Sequence, residues 1–176
     1  MPALIIAIVV LLDQITKIWA VDALTGQPSK SIIGDFLMFT LVYNEGGAMG
    51  TNFGPSGYYL ITALIILPLL LYYIYANRTY KMIALPLSFI ASGALGNVID
   101  RIRIGKVVDF IDVDFFDLSL FGYRLERWWT FNIADAAITC AIVFILLTMF
   151  RKPPTESVGA TAVETAPNFT NHSENS

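Results

Sequence analysis

Four apolar runs, residues 3–21, 58–76, 82–99 and 131–150, divide the chain. Each approaches the roughly 20 residues that a bilayer-crossing helix needs. Asp13 and Lys17 interrupt the first run. It lacks a basic segment ahead of it, so it reads as a retained helix, although Val21-Asp22-Ala23 loosely fits a signal-peptide cleavage site. Residues 22–57 begin with turn formers, Gly26, Pro28, Ser29 and Ser31. Residues 36–43 are apolar and rich in β-formers but too short to cross, and predict a strand. Asn44-Glu45-Gly46-Gly47-Ala48-Met49-Gly50 then breaks any regular element. Residues 77–81 predict a tight polar hairpin, and 107–111 a second short strand. Asp112, Asp114 and Asp117 interleave with Phe115, Phe116 and Leu118. Trp128 and Trp129 precede the last run and read as headgroup-level anchors.

Composition sharpens this pattern. The 176 residues are 56% hydrophobic and 14% charged, with a mean hydropathy of +0.64. A soluble domain carries about a quarter charged residues, so the chain predicts an all-α polytopic membrane protein with four transmembrane helices. Residues 1–150 form the expected membrane domain. Residues 151–176 hold Pro153-Pro154 and little to bury, and predict a disordered tail. A net charge of −3 gives no case for nucleic acid. The single cysteine, Cys140, excludes an internal disulfide framework and reads as a small apolar side chain. Charge leaves orientation open. Arg78, Lys81, Arg151 and Lys152 would share the cytoplasmic side in an arrangement with both termini inside, yet six basic residues would lie opposite.

Polar residues at membrane depth are functional candidates, because burying a charge in hydrocarbon is costly. Asp13 and Lys17 are spaced i, i+4 and can pair on one helix face. Asn97, Asp100 and Arg101 close the third run. Arg101 suits a helix C-terminus and Asn97 can bond freed carbonyls there, but Asp100 has the wrong sign. Gly93 and Gly96 permit close helix packing. By alternation Val107, Asp109 and Ile111 share a strand face. Asn132 reads as an N-cap, and Asp135 as an acid stabilised in the first turn. The only histidine, His172, lies in the tail, which leaves no histidine-based triad and no His-Glu-x-x-His zinc motif. What remains is carboxylate chemistry. Two aspartates in contact share a proton, so one can activate water while the other protonates a carbonyl oxygen.

The ordered boxes resemble those of the bacterial lipoprotein signal peptidases (signal peptidase II). They are Asp13-Gln14-Ile15-Thr16-Lys17, Asn44-Glu45-Gly46-Gly47-Ala48, residues 93–101, Gly105-Lys106-Val107-Val108-Asp109-Phe110 and Phe131-Asn132-Ile133-Ala134-Asp135. The resemblance implies an intramembrane aspartyl endopeptidase that cuts diacylglyceryl-modified prolipoproteins before the lipidated cysteine. Asp109 and Asp135 would be the catalytic pair. Asp13, Lys17, Asn44, Gly46, Asn97, Asp100, Arg101 and Asn132 would shape the pocket and bind substrate. It further implies a small extracytoplasmic β-cradle, cytoplasmic termini, an outer-leaflet site in the inner membrane, and no metal or cofactor. The chain is read as a monomer among membrane phospholipids. Gly47 and Met49 depart from the family's usual alanine and phenylalanine, and residues 114–126 lengthen the loop between the two acids. Two other readings compete: a proton-coupled transporter with a relay through Asp13, Lys17, Asp100 and Asp135, and a non-catalytic subunit of a membrane complex. The first lacks visible internal repeats, and the second leaves the membrane-edge aspartates unexplained.

Overall fold

The first apolar run becomes α1 (Pro2–Leu24), with Pro2 in the first turn, where its missing N–H leaves no bond unmade. A computed structural model describes residues 1–47, 54–114, 118–120, 123–125 and 130–150. The buried positions of α1 are Asp13, Lys17, Ala20 and Leu24, one stripe at i, i+4, i+7 and i+11. Leu4, Leu11, Ile15 and Ile18 are exposed. The helix is therefore inverted relative to one on a water-soluble protein, with its mid-helix charges, Asp13 and Lys17, turned inward and many apolar side chains outward, as a hydrocarbon solvent requires.

α2 (Ser56–Ala76), α3 (Lys81–Ile104) and α4 (Ile133–Met149) complete the bundle. The first three helices are long and apolar enough to cross a membrane, and α4 is apolar but shorter. α3 is the central element and packs against α1, α2 and α4. Its buried positions include Ala84, Ser88, Ala91, Ser92, Gly93 and Gly96, small residues that let helix backbones approach closely. A Cβ on Gly93 would collide with Ala134 O and the Ile138 side chain of α4. On Gly96 it would lie 2.5 Å from Asp13 Oδ2.

Two helix ends differ from expectation. α3 continues past residue 99 to Ile104 and stops at Gly105, whose φ of 76° closes the helix as its N–H donates to Arg101 O at 3.0 Å. Asn97 is thus inside the helix and is not bonding freed carbonyls at its end. α4 starts at Ile133, because Phe131 exchanges backbone hydrogen bonds with Ile111 and Asn132 serves as the cap.

The remaining regular structure is a three-stranded antiparallel sheet, β1 (Lys30–Ile33), β2 (Leu37–Asn44) and β3 (Val107–Val113), in that order. β2 and β3 are the two expected strands, β2 shifted by one residue and β3 two residues longer. β1 lies where only turns were expected. All four of its residues are exposed, so no alternation marks it, and pairing to β2 holds it. The alternation expected of β3 also fails: Val107, Val108, Asp109 and Phe110 are all buried. One reason is that Phe110 joins Ala20 and Leu24 of α1 in a core cluster, with Trp19 edge-on to Phe39 at 5.2 Å and to Phe110 at 6.1 Å. The long loop carries a further antiparallel ladder, β4 (Leu118–Leu120) with β5 (Tyr123–Leu125). Ala48, Met49, Phe115, Phe116, Asp117, the Trp128-Trp129 pair and the tail from residue 151 lie outside the described residues.

Candidate active site

The sheet, the end of α3 and the start of α4 bring two carboxylates from distant parts of the chain into one partly buried frame. Asp109, on β3, is 1% exposed. Its Oδ1 accepts from Asn132 Nδ2 at 2.7 Å and its Oδ2 from Asn44 Nδ2 at 3.0 Å. Pairing of Asn44 with Val107 and of Val42 with Asp109 sets Asn44 diagonally beside the acid. The same amide shapes the following turn, since Asn44 Oδ1 accepts from Gly46 N at 2.8 Å.

Asp135 stands in the first turn of α4. Its N–H donates to Asn132 Oδ1 at 2.9 Å, the expected N-cap bond. Its carboxylate does more than meet the helix dipole, because Oδ1 accepts from Asn97 Nδ2 at 2.9 Å. Asn132 joins the two acids: its Nδ2 lies within reach of Asp109 Oδ1, Val108 O and Asn97 Oδ1. Burial first, and then the charge of Asp135, push the Asp109 carboxyl up to about 7, while the Asn44 and Asn132 hydrogen bonds and the Lys17 charge pull the other way. The pair therefore holds a proton up to neutral pH.

Behind the acids sits a saturated charge cluster. Lys17 Nζ lies 2.9 Å from each of Asp13 Oδ2, Asp100 Oδ2 and Asn97 Oδ1. Three acceptors match the three hydrogens of an ammonium. The Asp13–Lys17 ion pair read from the spacing is present, but no Lys17 N–H is left to aim at a substrate carbonyl or a lipid headgroup. Asp13 Oδ1 also accepts from Ala134 N at 2.9 Å and so pins the start of α4. Asp100 Oδ2 accepts from Val108 N at 3.1 Å and pins β3. That bond and Lys17 explain an acid that suits no helix C-terminus.

Arg101 points the other way. It donates to Gly46 O at 2.7 Å, stands 5.6 Å from the Tyr59 ring centre, and lies within Coulombic reach of Asp135 and Asp109. Its buried Nε has no partner among the described residues. All ten residues singled out from the sequence thus fall in one connected region. One participant was missed: Gln14 Nε2 reaches Asp13 Oδ2, Asp100 Oδ1 and Gly96 O at 3.1–3.2 Å. An amide inside the first apolar run was the available signal.

Residues 5–151 match the Signal peptidase (SPase) II family. The lipoprotein signal peptidase of Chlorobium phaeobacteroides is 39% identical over 157 residues, spanning 86% of this chain and 91% of that protein. The lipoprotein signal peptidase of Staphylococcus haemolyticus is 35% identical over 151 residues, spanning 85% and 90%. A solved bacterial membrane enzyme, determined by the in meso method, superposes with a TM-score of 0.67 at 35% identity, over 84% of this chain and 86% of that one. The chain belongs to the signal peptidase II family and is a multi-pass bacterial membrane enzyme, an aspartic peptidase.

Proposed function

We propose that the protein removes signal peptides from diacylglyceryl-modified prolipoproteins by cleaving before the lipidated cysteine, with Asp109 and Asp135 as the catalytic pair. The observation that carries this reading is the amide frame of Asn44, Asn97 and Asn132, which holds a buried carboxylate, Asp109, and a half-buried one, Asp135, from different elements within mutual electrostatic influence. The names of the curated relatives support the substrate class.

The pair begins with one proton. Its ionised member takes a proton from water as the hydroxyl attacks the scissile carbonyl carbon, and its protonated member gives a proton to the carbonyl oxygen. The diol then collapses: the C–N bond breaks, one acid protonates the departing amine, and the other recovers the diol proton. The pair returns to its starting state without a covalent intermediate or a cofactor. Arg101 Nε, with no partner among the described residues, is a donor for a substrate carbonyl. Lys17, Asp13 and Asp100 act as positioning residues.

The helix surfaces below the site are apolar and exposed, so acyl chains can stay in lipid while the peptide reaches the acids. In this reading both termini face the cytoplasm, and the site opens near the outer leaflet of the inner membrane. The test is processing of a diacylated prolipoprotein by purified enzyme. Asp109→Asn or Asp135→Asn abolishes cleavage while the protein stays folded in detergent; retained cleavage by either variant would falsify the assignment.

A further inference from the structure

A groove of about 570 Å³ opens on the reverse side of the charge cluster, between the C-terminal ends of α1 and α3 and the start of β3. Ile18, Val21 and Ile104 make its walls apolar, while Asp22, Arg103 and Lys106 bring charge of both signs to it. The charged residues follow the apolar spans of α1 and α3 and so stand at headgroup depth.

Their pairing is incomplete. Asp22 forms no ion pair or side-chain hydrogen bond among the described residues, and as an acid in the last turn of α1 it opposes the helix dipole. Among the described residues Arg103 makes one long side-chain contact, from Nη1 to Gln14 Oε1 at 3.3 Å, and no ion pair. Lys106 lies 2.7 Å from Glu45 Oε1, which leaves it further donors. Asp22 and Arg103 thus line one groove without coming within the 4 Å of an ion pair.

We propose that the groove binds a zwitterionic phospholipid from the surrounding bilayer. The phosphate rests on Arg103 and Lys106, a primary ammonium meets Asp22, and an acyl chain lies against Ile18 and Ile104. Separated charges of opposite sign match a headgroup that carries both. The apolar walls match a chain and not a free phosphate. Lys17 and Asp100 also line this groove. A lipid seated there would keep water from the back of the cluster that holds Asn97 and Val108 in place.

The test is native mass spectrometry of the full-length protein in detergent, with added phosphatidylethanolamine, phosphatidylglycerol or soluble glycerophosphoethanolamine. One phosphatidylethanolamine is retained, several-fold in preference to phosphatidylglycerol, and the soluble headgroup is not. Asp22→Asn removes the preference. Arg103→Gln lowers retention of both lipids about tenfold. Both side chains are exposed, so the variants keep the wild-type melting temperature. Equal retention of both lipids by the wild type, or retention unchanged in both variants, overturns the proposal. So does displacement of the lipid by the soluble headgroup or by a stoichiometric diacylated prolipoprotein, or a dimer abolished by Arg103→Gln in place of a lipid adduct. Retention is read without any activity measurement, so the result stands apart from the assignment of the peptidase pair.

Discussion

Asp109 takes an amide N–H on each of its oxygens, and neither donor is charged. Such bonds favour the ionised carboxylate, but burial and the nearby Asp135 charge outweigh them and lift the group to about 7. The sign of the pH dependence follows. Below about 7 the pair keeps its shared proton; as pH rises through that value the proton is lost and the general acid with it. The kcat/KM for a diacylated substrate therefore declines as pH rises through about 7, and declines again in acid once both carboxylates are protonated. Asn44→Ala removes a hydrogen bond that holds the Asp109 value down, so it shifts the alkaline limb to higher pH. A limb that stayed in place or moved down would show that Asn44 does not act through the Asp109 charge.

Where α1, α3 and α4 converge, the contacts are set by the absence of side chains. Gly96 faces Asp13 so closely that an added Cβ would sit 2.5 Å from Oδ2 and 3.2 Å from Cγ. Asp13 cannot yield without loosening its bonds to Lys17 and Ala134 N, the latter at the start of the helix that carries Asp135. Gly96→Ala is expected to cost about 1–3 kcal/mol of stability, as overpacking does. It should also lower kcat by about tenfold or more through displacement of α4. Gly57, whose added Cβ would meet nothing within 4 Å, is the control. Thermal unfolding in detergent and turnover of the two alanine variants check both parts; equal behaviour would refute the role given to the close approach.

At the scale of the whole molecule, the Asp13–Lys17–Asp100 cluster is the joint between bundle and sheet. Asp13 and Lys17 come from α1 and Asp100 from α3, while the backbone N–H groups that donate to Asp13 and Asp100, Ala134 N and Val108 N, belong to α4 and β3. A buried ion pair is weak support for stability by itself, but breaking one leaves an uncompensated charge. Lys17→Gln strands two buried carboxylates and is expected to cost about 3–5 kcal/mol. Adding Asp100→Asn to it should recover part of that loss. If the double variant melts no higher than the single one, the cluster is not the electrostatic joint described.

Much of this architecture could be read from residue order. The four helices follow from runs of apolar residues long enough for a bilayer, because the hydrophobic effect acts on local composition and needs no partner. The Asp13–Lys17 pair follows from helical spacing. Asn132 and Asp135 were legible as cap and first-turn acid for the same local reason. Ranking Asp109 and Asp135 above the other acids came from resemblance of the ordered boxes, not from physics, since in isolation Asp135 was a sufficient helix-start residue. Three things depended on the assembled chain. β1 has no pattern of its own and exists by pairing to β2. Asp100 makes sense only when β3 presents Val108 N and α1 presents Lys17. The frame of Asn44, Asn97 and Asn132 joins residues 35–88 positions apart. Sequence sets which groups are present and how each segment is dressed for its solvent. Which buried polar group satisfies which is decided by long-range packing, because hydrogen bonds require a distance and a direction that only the closed fold supplies.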